Sequence, residues 1–364
     1  MAGPATARLV IDLDAVAANY RALSSEAAGA EVAPVLKADG YGLGAGPIAR
    51  RLWREGARRF FVARLGEGEA LREALGPERP ATIYVLDGLT TATAPRLAQQ
   101  ALTPVLASVD QVAAATAWAA AGSSPFRAAL QVDSGMNRQG VTPEEARSLA
   151  QAPDRLRGLD LELVISHLGS ASHPEESRNF RQLERFLEAR PLFPDAQASL
   201  AASAGIFLGG EFRFDLVRPG ISLLGGGPRD RPDPRIQPVA TLTAPVLDIR
   251  RVPAGGIVGY GSNPVLSRPG RVAVVAAGYA DGIIRQTRRG GYAWAAGARR
   301  PLLSVDMDLA VIDVGDGALS VGDPVELLGP NVPVDDVARA AGTVAHEVLV
   351  RLSRRAERVW LGEG

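Results

Sequence analysis

Among forty lysine and arginine residues only one is a lysine. Lys37 ends the apolar run Val32–Leu36 and opens a loop punctuated by Gly40, Gly42, Gly44 and Gly46, with Tyr41 four positions further on. An ammonium is strongly hydrated, and lodging it at an apolar strand end is costly unless the group is paired or used covalently. Capture of an aldehyde as a Schiff base is one such use; a solvated lysine at a strand end is the structural alternative. Other polar groups stand where later apolar runs stop. D-S-G-M-N-R places Asp133 and Arg138, I-S-H-L-G places His167, A-A-S-A-G places Ser203, and L-V-R-P-G-I places Arg218, Gly220 and Ile221. Met singly, these read as loop caps, a solvated arginine or a satisfied core histidine. Met at five of eight run ends, they imply a shared rim.

The last two of those ends suit an anion. Ser203 followed by Ala204 and Gly205, and Gly220 followed by Ile221, offer a hydroxyl and unencumbered backbone N–H groups. A lysine plus a phosphate site is what pyridoxal 5'-phosphate requires, an aldehyde to capture and a phosphate to anchor. A phosphorylated sugar handled by a lysine aldolase uses the same two elements and is the runner-up. Arg218 discriminates further. If it faces a pyridine nitrogen, a guanidinium that does not lose its proton keeps that nitrogen an acceptor, which makes the ring a weaker electron sink and favours returning a proton to Cα.

The elements that must position these groups alternate from residue 30 to 235. Apolar runs at Val32–Leu36, Phe60–Arg64, Thr82–Leu86, Thr103–Ala107, Ala128–Val132, Leu161–Ser166, Ala198–Ala202 and Phe214–Val217 are separated by amphipathic or alanine-rich stretches. Eight such βα units predict an α/β fold, a (β/α)8 TIM barrel over residues 14–230, whose chemistry gathers at the strand ends. An open, doubly wound sheet is the structural alternative. After the proline-broken stretch P-R-D-R-P-D-P-R the pattern turns to period-two alternation, at Thr241–Arg250, Ile257–Tyr260, Arg271–Ala277, Leu302–Val314 and Pro324–Leu328. This predicts a mostly β C-terminal domain over residues 236–364, closed by helices at Val334–Ala340 and His346–Arg354, with an isolated N-terminal strand over residues 8–13.

Composition narrows the function classes. Forty acidic side chains balance forty basic ones, so no basic field advertises nucleic acid or an anionic membrane. The absence of cysteine excludes disulfides, thiolate catalysis and cysteine-ligated metals, and no metal is expected. No secretory leader pattern or apolar run of membrane-spanning length is present, which reads as cytoplasmic.

V-L-K-A-D-G-Y-G-L-G-A resembles the cofactor-attachment segment of the alanine racemase family, and further motifs follow in the family's order: R-P-G-I, V-G-Y-G-S, A-A-G-Y-A-D-G and V-D-M-D-L. The resemblance runs from about Leu9 to Trp360. It implies a fold-type III pyridoxal 5'-phosphate enzyme that interconverts L-alanine and D-alanine. Within that likeness Lys37 and Tyr260 match the two bases, Tyr260 acting in the partner subunit's site, so a homodimer with shared active sites is implied. Arg218 matches the arginine at the pyridine nitrogen and His167 the histidine that supports it. Tyr41, Ser203, Gly220 and Ile221 match phosphate contacts, and Arg138 the arginine that orients the cofactor oxygen and the substrate carboxylate. Tyr279 lies in a family signature on the substrate side, and Met307 and Asp308 match the carboxylate and entrance positions.

Three positions depart from the pattern. Gln131 stands where the family often has a carbamylated lysine, His346 of H-E-V-L where it usually has a phosphate-binding tyrosine, and Ala202 of S-L-A-A-S where it has asparagine. These touch the cofactor pocket and the substrate pocket and leave the two proposed bases intact. The alternatives they keep open are a racemase for another small amino acid such as serine, or a decarboxylase or aldolase of the same fold type.

Overall fold

The computed structural model describes residues 6–122, 125–260, 266–315 and 317–363. The chain divides into two compact units. One comprises Tyr20–Gly40 and Gly44–Leu223; the other takes the chain up to Asn19, Tyr41–Leu43 and everything from Leu224 onward.

Strand β1 (Arg8–Asp12) belongs to the second unit, and the first unit holds β2 (Glu31–Val32), β3 (Arg59–Val62), β4 (Thr82–Val85), β5 (Leu102–Leu106), β6 (Phe126–Gln131), β7 (Leu159–Ile165), β8 (Gln197–Ser199) and β9 (Leu216–Val217). Strands β3 to β8 form a parallel sheet in sequence order, and β2 pairs in parallel with β9. Single bridges join Val35 to Phe61 and Ala202 to Arg218. The unit is thus a parallel half-barrel sheet of the α/β class. Its inner side chains pack as one cluster that includes Val35, Phe61, Tyr84, Val105, Ala129, Leu163 and Leu216. Phe61 and Tyr84 stack with ring centres 4.5 Å apart and are fully buried, so truncating either would cost about 3–5 kcal/mol.

Each expected apolar run in this unit contains a strand. The Val32–Leu36 run contributes only Val32 to the ladder of β2 and the bridge at Val35, because Pro34 has no N–H to contribute. The intervening helices start where the sequence signals it. Ser108 accepts a hydrogen bond from the Gln111 N–H at 3.2 Å ahead of Val109–Ala120. Thr142 and Glu145 exchange side-chain and backbone bonds around Pro143–Gln151, with proline in its first turn.

The second unit is mostly β: β10 (Ala240–Val252), β11 (Gly270–Val275), β12 (Tyr292–Ala295), β13 (Ala298–Val305), β14 (Ala310–Asp313), β15 (Pro324–Leu328) and β16 (Glu357–Leu361). The long β10 shifts register between Val246 and Asp248. It pairs with β1 and β15 up to Pro245 and with β11 from Val246 onward. Strand β1 also runs parallel to β16.

Three expectations need correction here. Ile257–Tyr260 is not a continuous strand: Ile257 makes a single bridge and Gly259–Tyr260 a bend, with Gly255 and Gly259 at φ 78° and 77°. The single run Leu302–Val314 is two strands around a turn at residues 306–309, where the Asp306 N–H donates to the Leu309 carbonyl at 2.8 Å. Strand β12 was not anticipated; Y-A-W-A-A-G-A carries its signal, an aromatic alternation ending in Ala296 and Gly297 at φ 48° and 71°, the mirror-image turn that suits a two-residue hairpin. No helix among the described residues is long and apolar enough to cross a membrane.

Candidate active site

Lys37 opens a left-handed turn. Ala38, Asp39, Gly40 and Tyr41 have φ of 53°, 53°, 62° and 55° in succession. For a residue with a Cβ this region costs about 1–2 kcal/mol each, so three non-glycine residues in one turn need outside support. The Glu67 carboxylate accepts the Ala38 N–H at 2.8 Å, the Leu36 carbonyl accepts the Gly40 N–H at 2.9 Å, and Asp39 takes the Ala45 N–H on Oδ1 at 2.9 Å. Gly40 eases the turn: a Cβ would lie 3.1 Å from the Ala45 nitrogen and 3.2 Å from its Cα, a tight fit at a φ that already disfavours one. The Lys37 amine is half-buried, and its pKa is lowered first by desolvation and then by the charge of Arg138; Glu67 pulls it up, by more than Arg218 pushes it down. The lowered pKa leaves more of the amine neutral at a given pH, and a neutral amine is both a nucleophile for an aldehyde and a base.

Arg218 is the deepest charge of the rim, 4% exposed. Its Nη1 donates to the Ser199 carbonyl and hydroxyl and its Nη2 to the Ser166 carbonyl, the residue before His167. No carboxylate stands among these partners, and burial pulls its pKa down to about 10, so it remains a cation at neutral pH. His167 is half-buried and its carbonyl accepts the Gln182 side-chain amide at 2.9 Å.

Ser203 and Gly220 meet as expected from their strand ends. The buried Ser203 hydroxyl accepts the Gly220 N–H at 3.0 Å and the Ser222 N–H at 3.2 Å, with Ile221 buried between them. Ser222, which sequence reasoning missed, has a fully buried hydroxyl with no hydrogen-bond partner among the described residues. An unpartnered buried hydroxyl beside two N–H groups that have only a serine oxygen to share is a donor set short of acceptors. A phosphate supplies them, so these residues fit the phosphate end of pyridoxal 5'-phosphate. The only sequence signal for Ser222 was its place two residues after Gly220.

Arg138 is exposed at the tip of a loop that is tied on both sides. The Asp133 carboxylate accepts the N–H groups of Gly135, Met136 and Asn137 at 2.8–3.1 Å, and the buried Gln131 donates from Nε2 to the Gln139 carbonyl at 3.0 Å. Asp133 is therefore a loop cap, the structural reading of that residue. The Gln131 side chain holds the loop's backbone, not the arginine's guanidinium.

In the second unit Tyr279, Met307 and Asp308 share one corner. The Tyr279 N–H donates to the Asp306 carbonyl and the Ala280 N–H to the Met307 carbonyl, both at 2.9 Å. A Cβ on Gly278 would fall 2.3 Å and 2.4 Å from those same two carbonyl oxygens, so only glycine lets the strands approach this closely. Arg355, also missed from sequence, bridges the buried Asp281 at 3.1 Å and the exposed Asp308. Tyr279 is 44% and Met307 55% exposed. Tyr260 is 74% exposed and shares no described hydrogen bond with this corner. Tyr41 is buried, and its ring centre lies 5.8 Å from that of the exposed His346 at 43°.

The alanine racemase N-terminal domain family matches residues 11–228 and the alanine racemase C-terminal domain family residues 239–360. The chain belongs to the alanine racemase family. It is 40% identical to the catabolic alanine racemase of Agrobacterium fabrum, the match covering 100% of this chain and 94% of that one. It is 42% identical to an alanine racemase of Methylobacterium sp., covering 98% of each. Among solved structures it superposes on alanine racemase from Bartonella henselae, which carries covalently bound pyridoxal phosphate, with TM-score 0.92, 35% identity and coverage of 98% of this chain and 100% of that one. Against the biosynthetic alanine racemase of Pseudomonas aeruginosa the TM-score is 0.89 at 32% identity, covering 98% and 99%. Of the three departures from the alanine racemase pattern, Gln131 acts as a loop tie, and Ala202 bridges to Arg218 through its backbone and accepts the Ile206 N–H at 3.2 Å. His346 keeps an aromatic ring beside Tyr41.

Proposed function

We propose that Lys37 and Tyr260 are the two proton-transferring groups of this chain, which is a pyridoxal 5'-phosphate-dependent amino-acid racemase interconverting L-alanine and D-alanine. The observation that carries the reading is the setting of Lys37: the sole lysine, desolvated, next to the charges of Arg138 and Arg218, and presented by a left-handed turn. When bound, the cofactor supplies the electron sink that acidifies the Cα–H of its amino-acid substrate.

The chain's own residues supply the rest. Lys37 holds the aldehyde end and moves a proton at Nζ on the D face. Tyr260 from a partner copy moves it at its hydroxyl on the L face. In the parallel unit the backbone N–H groups of Gly220 and Ile221 and the Ser203 and Ser222 hydroxyls would hold the phosphate, and Tyr41 and His346 of the other unit match phosphate-binding positions of the family. Arg218, with His167 as its support, would meet the ring nitrogen, and it stays cationic. Arg138 takes the substrate carboxylate, with Tyr279, Met307 and Asp308 shaping its approach.

The same reading takes the eight parallel strands as a closed (β/α)8 barrel over residues 14–230, with residues 236–364 and the strand at 8–13 as the β domain. It is supported by the β2–β9 pair, the two bridges at Val35 and Ala202, and the shared inner cluster. A cytoplasmic homodimer completes it, supported by the exposure of Tyr260, Tyr279 and Met307, aromatic and apolar groups that a single copy leaves in water. No observation favours a decarboxylase or an aldolase.

The test is deuterium incorporation at Cα with chiral chromatography, using L- and D-alanine and then serine in heavy water. Exchange with inversion on alanine is expected. Lys37→Ala should lose the long-wavelength absorbance of lysine-bound cofactor and racemise at least about 10⁴-fold more slowly. Tyr260→Phe should keep that absorbance and slow proton transfer by about 10²–10⁴-fold, more in one direction than the other. A retained band in the first variant, or unchanged racemisation in the second, overturns the corresponding role.

A further inference from the structure

Glu67 stands at the start of the helix Leu65–Leu75, thirty positions after the lysine in sequence, and it makes more backbone contacts than its own helix needs. Its Oε2 accepts the N–H groups of Ala63 at 2.8 Å and Arg64 at 3.1 Å, which closes the end of β3 and caps the helix. Its Oε1 does something different: it accepts the Ala38 N–H at 2.8 Å, the first N–H of the left-handed turn and the one next to Lys37. Ala38 is held at φ 53° without glycine's freedom, and among the described residues no other side chain accepts that N–H. The same carboxylate lies close enough to Lys37 to act on its charge, in the sense opposite to Arg138 and Arg218.

We infer that Glu67 is a positioning residue for the cofactor-binding lysine: its carboxylate clamps the strained turn at Ala38 and thereby fixes where Lys37 presents its amine. This rests on the assignment of Lys37 above. The clamp needs both oxygens as acceptors. An amide supplies one oxygen and one NH2 group, so Glu67→Gln must set a donor against either the Ala38 N–H or the Ala63 and Arg64 pair. Once the clamp is gone, the turn has an alternative, since relaxing Ala38 toward negative φ relieves the crowding of its Cβ and swings Lys37 away. Removing the carboxylate's charge has a separate consequence of opposite sign. The amine loses an anionic neighbour while Arg138 and Arg218 remain, so its pKa falls and more of it is neutral at a given pH. Charge loss alone would therefore make capture of an aldehyde easier; loss of positioning makes it harder.

That opposition gives the test. The full-length enzyme is stripped of cofactor and titrated with pyridoxal 5'-phosphate across pH, following the long-wavelength absorbance, for the wild type, Glu67→Gln, Glu145→Gln and Lys37→Ala. Glu145→Gln is the control for capping, because Glu145 caps its helix in the same way without touching the lysine turn. For Glu67→Gln we expect the pH midpoint of capture to move down and the affinity at pH values above the midpoint to weaken at least tenfold. Its melting temperature should fall no further than that of Glu145→Gln. Adding Ala38→Gly to Glu67→Gln should recover much of the lost affinity, because glycine adopts the left-handed conformation without the clamp; this double variant also carries the test if the single one folds poorly. Affinity and midpoint equal to those of Glu145→Gln, or no recovery with Ala38→Gly, would overturn the inference. A band surviving in Lys37→Ala would overturn the assignment of the lysine itself, a distinguishable failure.

Discussion

The candidate residues of the two units differ in how finished they are. In the parallel unit Arg218, Ser203 and Ile221 are buried and already bonded to, or packed among, backbone groups, and Lys37 is desolvated on a turn secured from outside. In the β unit Tyr260, Tyr279 and Met307 are 74%, 44% and 55% exposed, and the corner that bears the last two is fixed through its backbone and the Arg355–Asp281–Asp308 bridge, not through the Tyr279 and Met307 side chains. A cofactor that stays bound calls for a dry, preorganised cradle. Groups that meet a substrate, or a second subunit, are displayed. The difference between the units is thus what would be expected if one holds the cofactor and the other supplies groups to a partner's site.

The largest effect expected is on the cradle. Arg218→Leu leaves the Ser166 carbonyl without a donor and takes one of two partners from the Ser199 carbonyl, which keeps the Ser166 N–H, and from the Ser199 hydroxyl, which keeps the Leu216 carbonyl. With hydrogen bonds to a charged group at about 1.5–3 kcal/mol each and partial relaxation, stability should drop by about 3–5 kcal/mol. Denaturant unfolding of the cofactor-free enzyme checks this. A loss seen only with cofactor bound would mean that the preorganisation is supplied by the ligand and not by the protein, and the contrast between the units would weaken.

The corner of the β unit should respond differently. Gly278→Ala places a methyl 2.3 Å from the Asp306 carbonyl and 2.4 Å from that of Met307, so the Tyr279 segment must move away from the hairpin tip. Overpacking of this kind costs about 1–3 kcal/mol. The functional expectation is a rise in KM for alanine of at least about tenfold with the affinity for pyridoxal 5'-phosphate unchanged, measured on the same preparation. Equal losses of cofactor and substrate affinity would remove the division of labour.

How much of this was legible in the sequence follows the same line. Strands β2 to β9 and the polar groups at their ends were readable because a parallel strand is apolar throughout and its loop is not, so the boundary marks the rim. The β unit was readable as a class but less so in detail. Leu302–Val314 reads as one strand because V-D-M-D-L keeps the period of two through a turn, and β12 is short. Its site residues came from family likeness alone, since an exposed tyrosine after a glycine has no pattern to distinguish it. Glu67 and Arg355 escaped notice for a further reason: their partners, Ala38, Asp281 and Asp308, lie 29, 74 and 47 residues away, and no local spacing encodes such a contact.

Burial by itself does not mark the site, and Asp335 shows where the comparison must be sharpened. It is 2% exposed in the β unit, in the first turn of the helix Val334–Ala341, and its only recorded hydrogen bond comes from the Gly227 N–H at 3.0 Å. Burial raises its pKa to about 6, with the nearby Asp230 and Asp336 adding to the rise against the Gly227 bond. A carboxyl whose folded pKa exceeds its unfolded value of about 3.9 favours the fold when protonated. That contribution is complete below the unfolded pKa and is lost as pH rises through about 6, so at neutral pH the fold carries an unfavourable buried charge. Asp335→Asn keeps an oxygen for the Gly227 N–H and removes the charge. Stability at pH 7.5 should therefore increase by about 1–2 kcal/mol, the gain shrinking to nothing near pH 4, with racemisation unchanged. Chemical denaturation at the two pH values measures it. If instead the variant lost activity while gaining stability, Asp335 would belong with Arg218 as a buried charge kept for function, and the β unit would hold a preorganised element of its own.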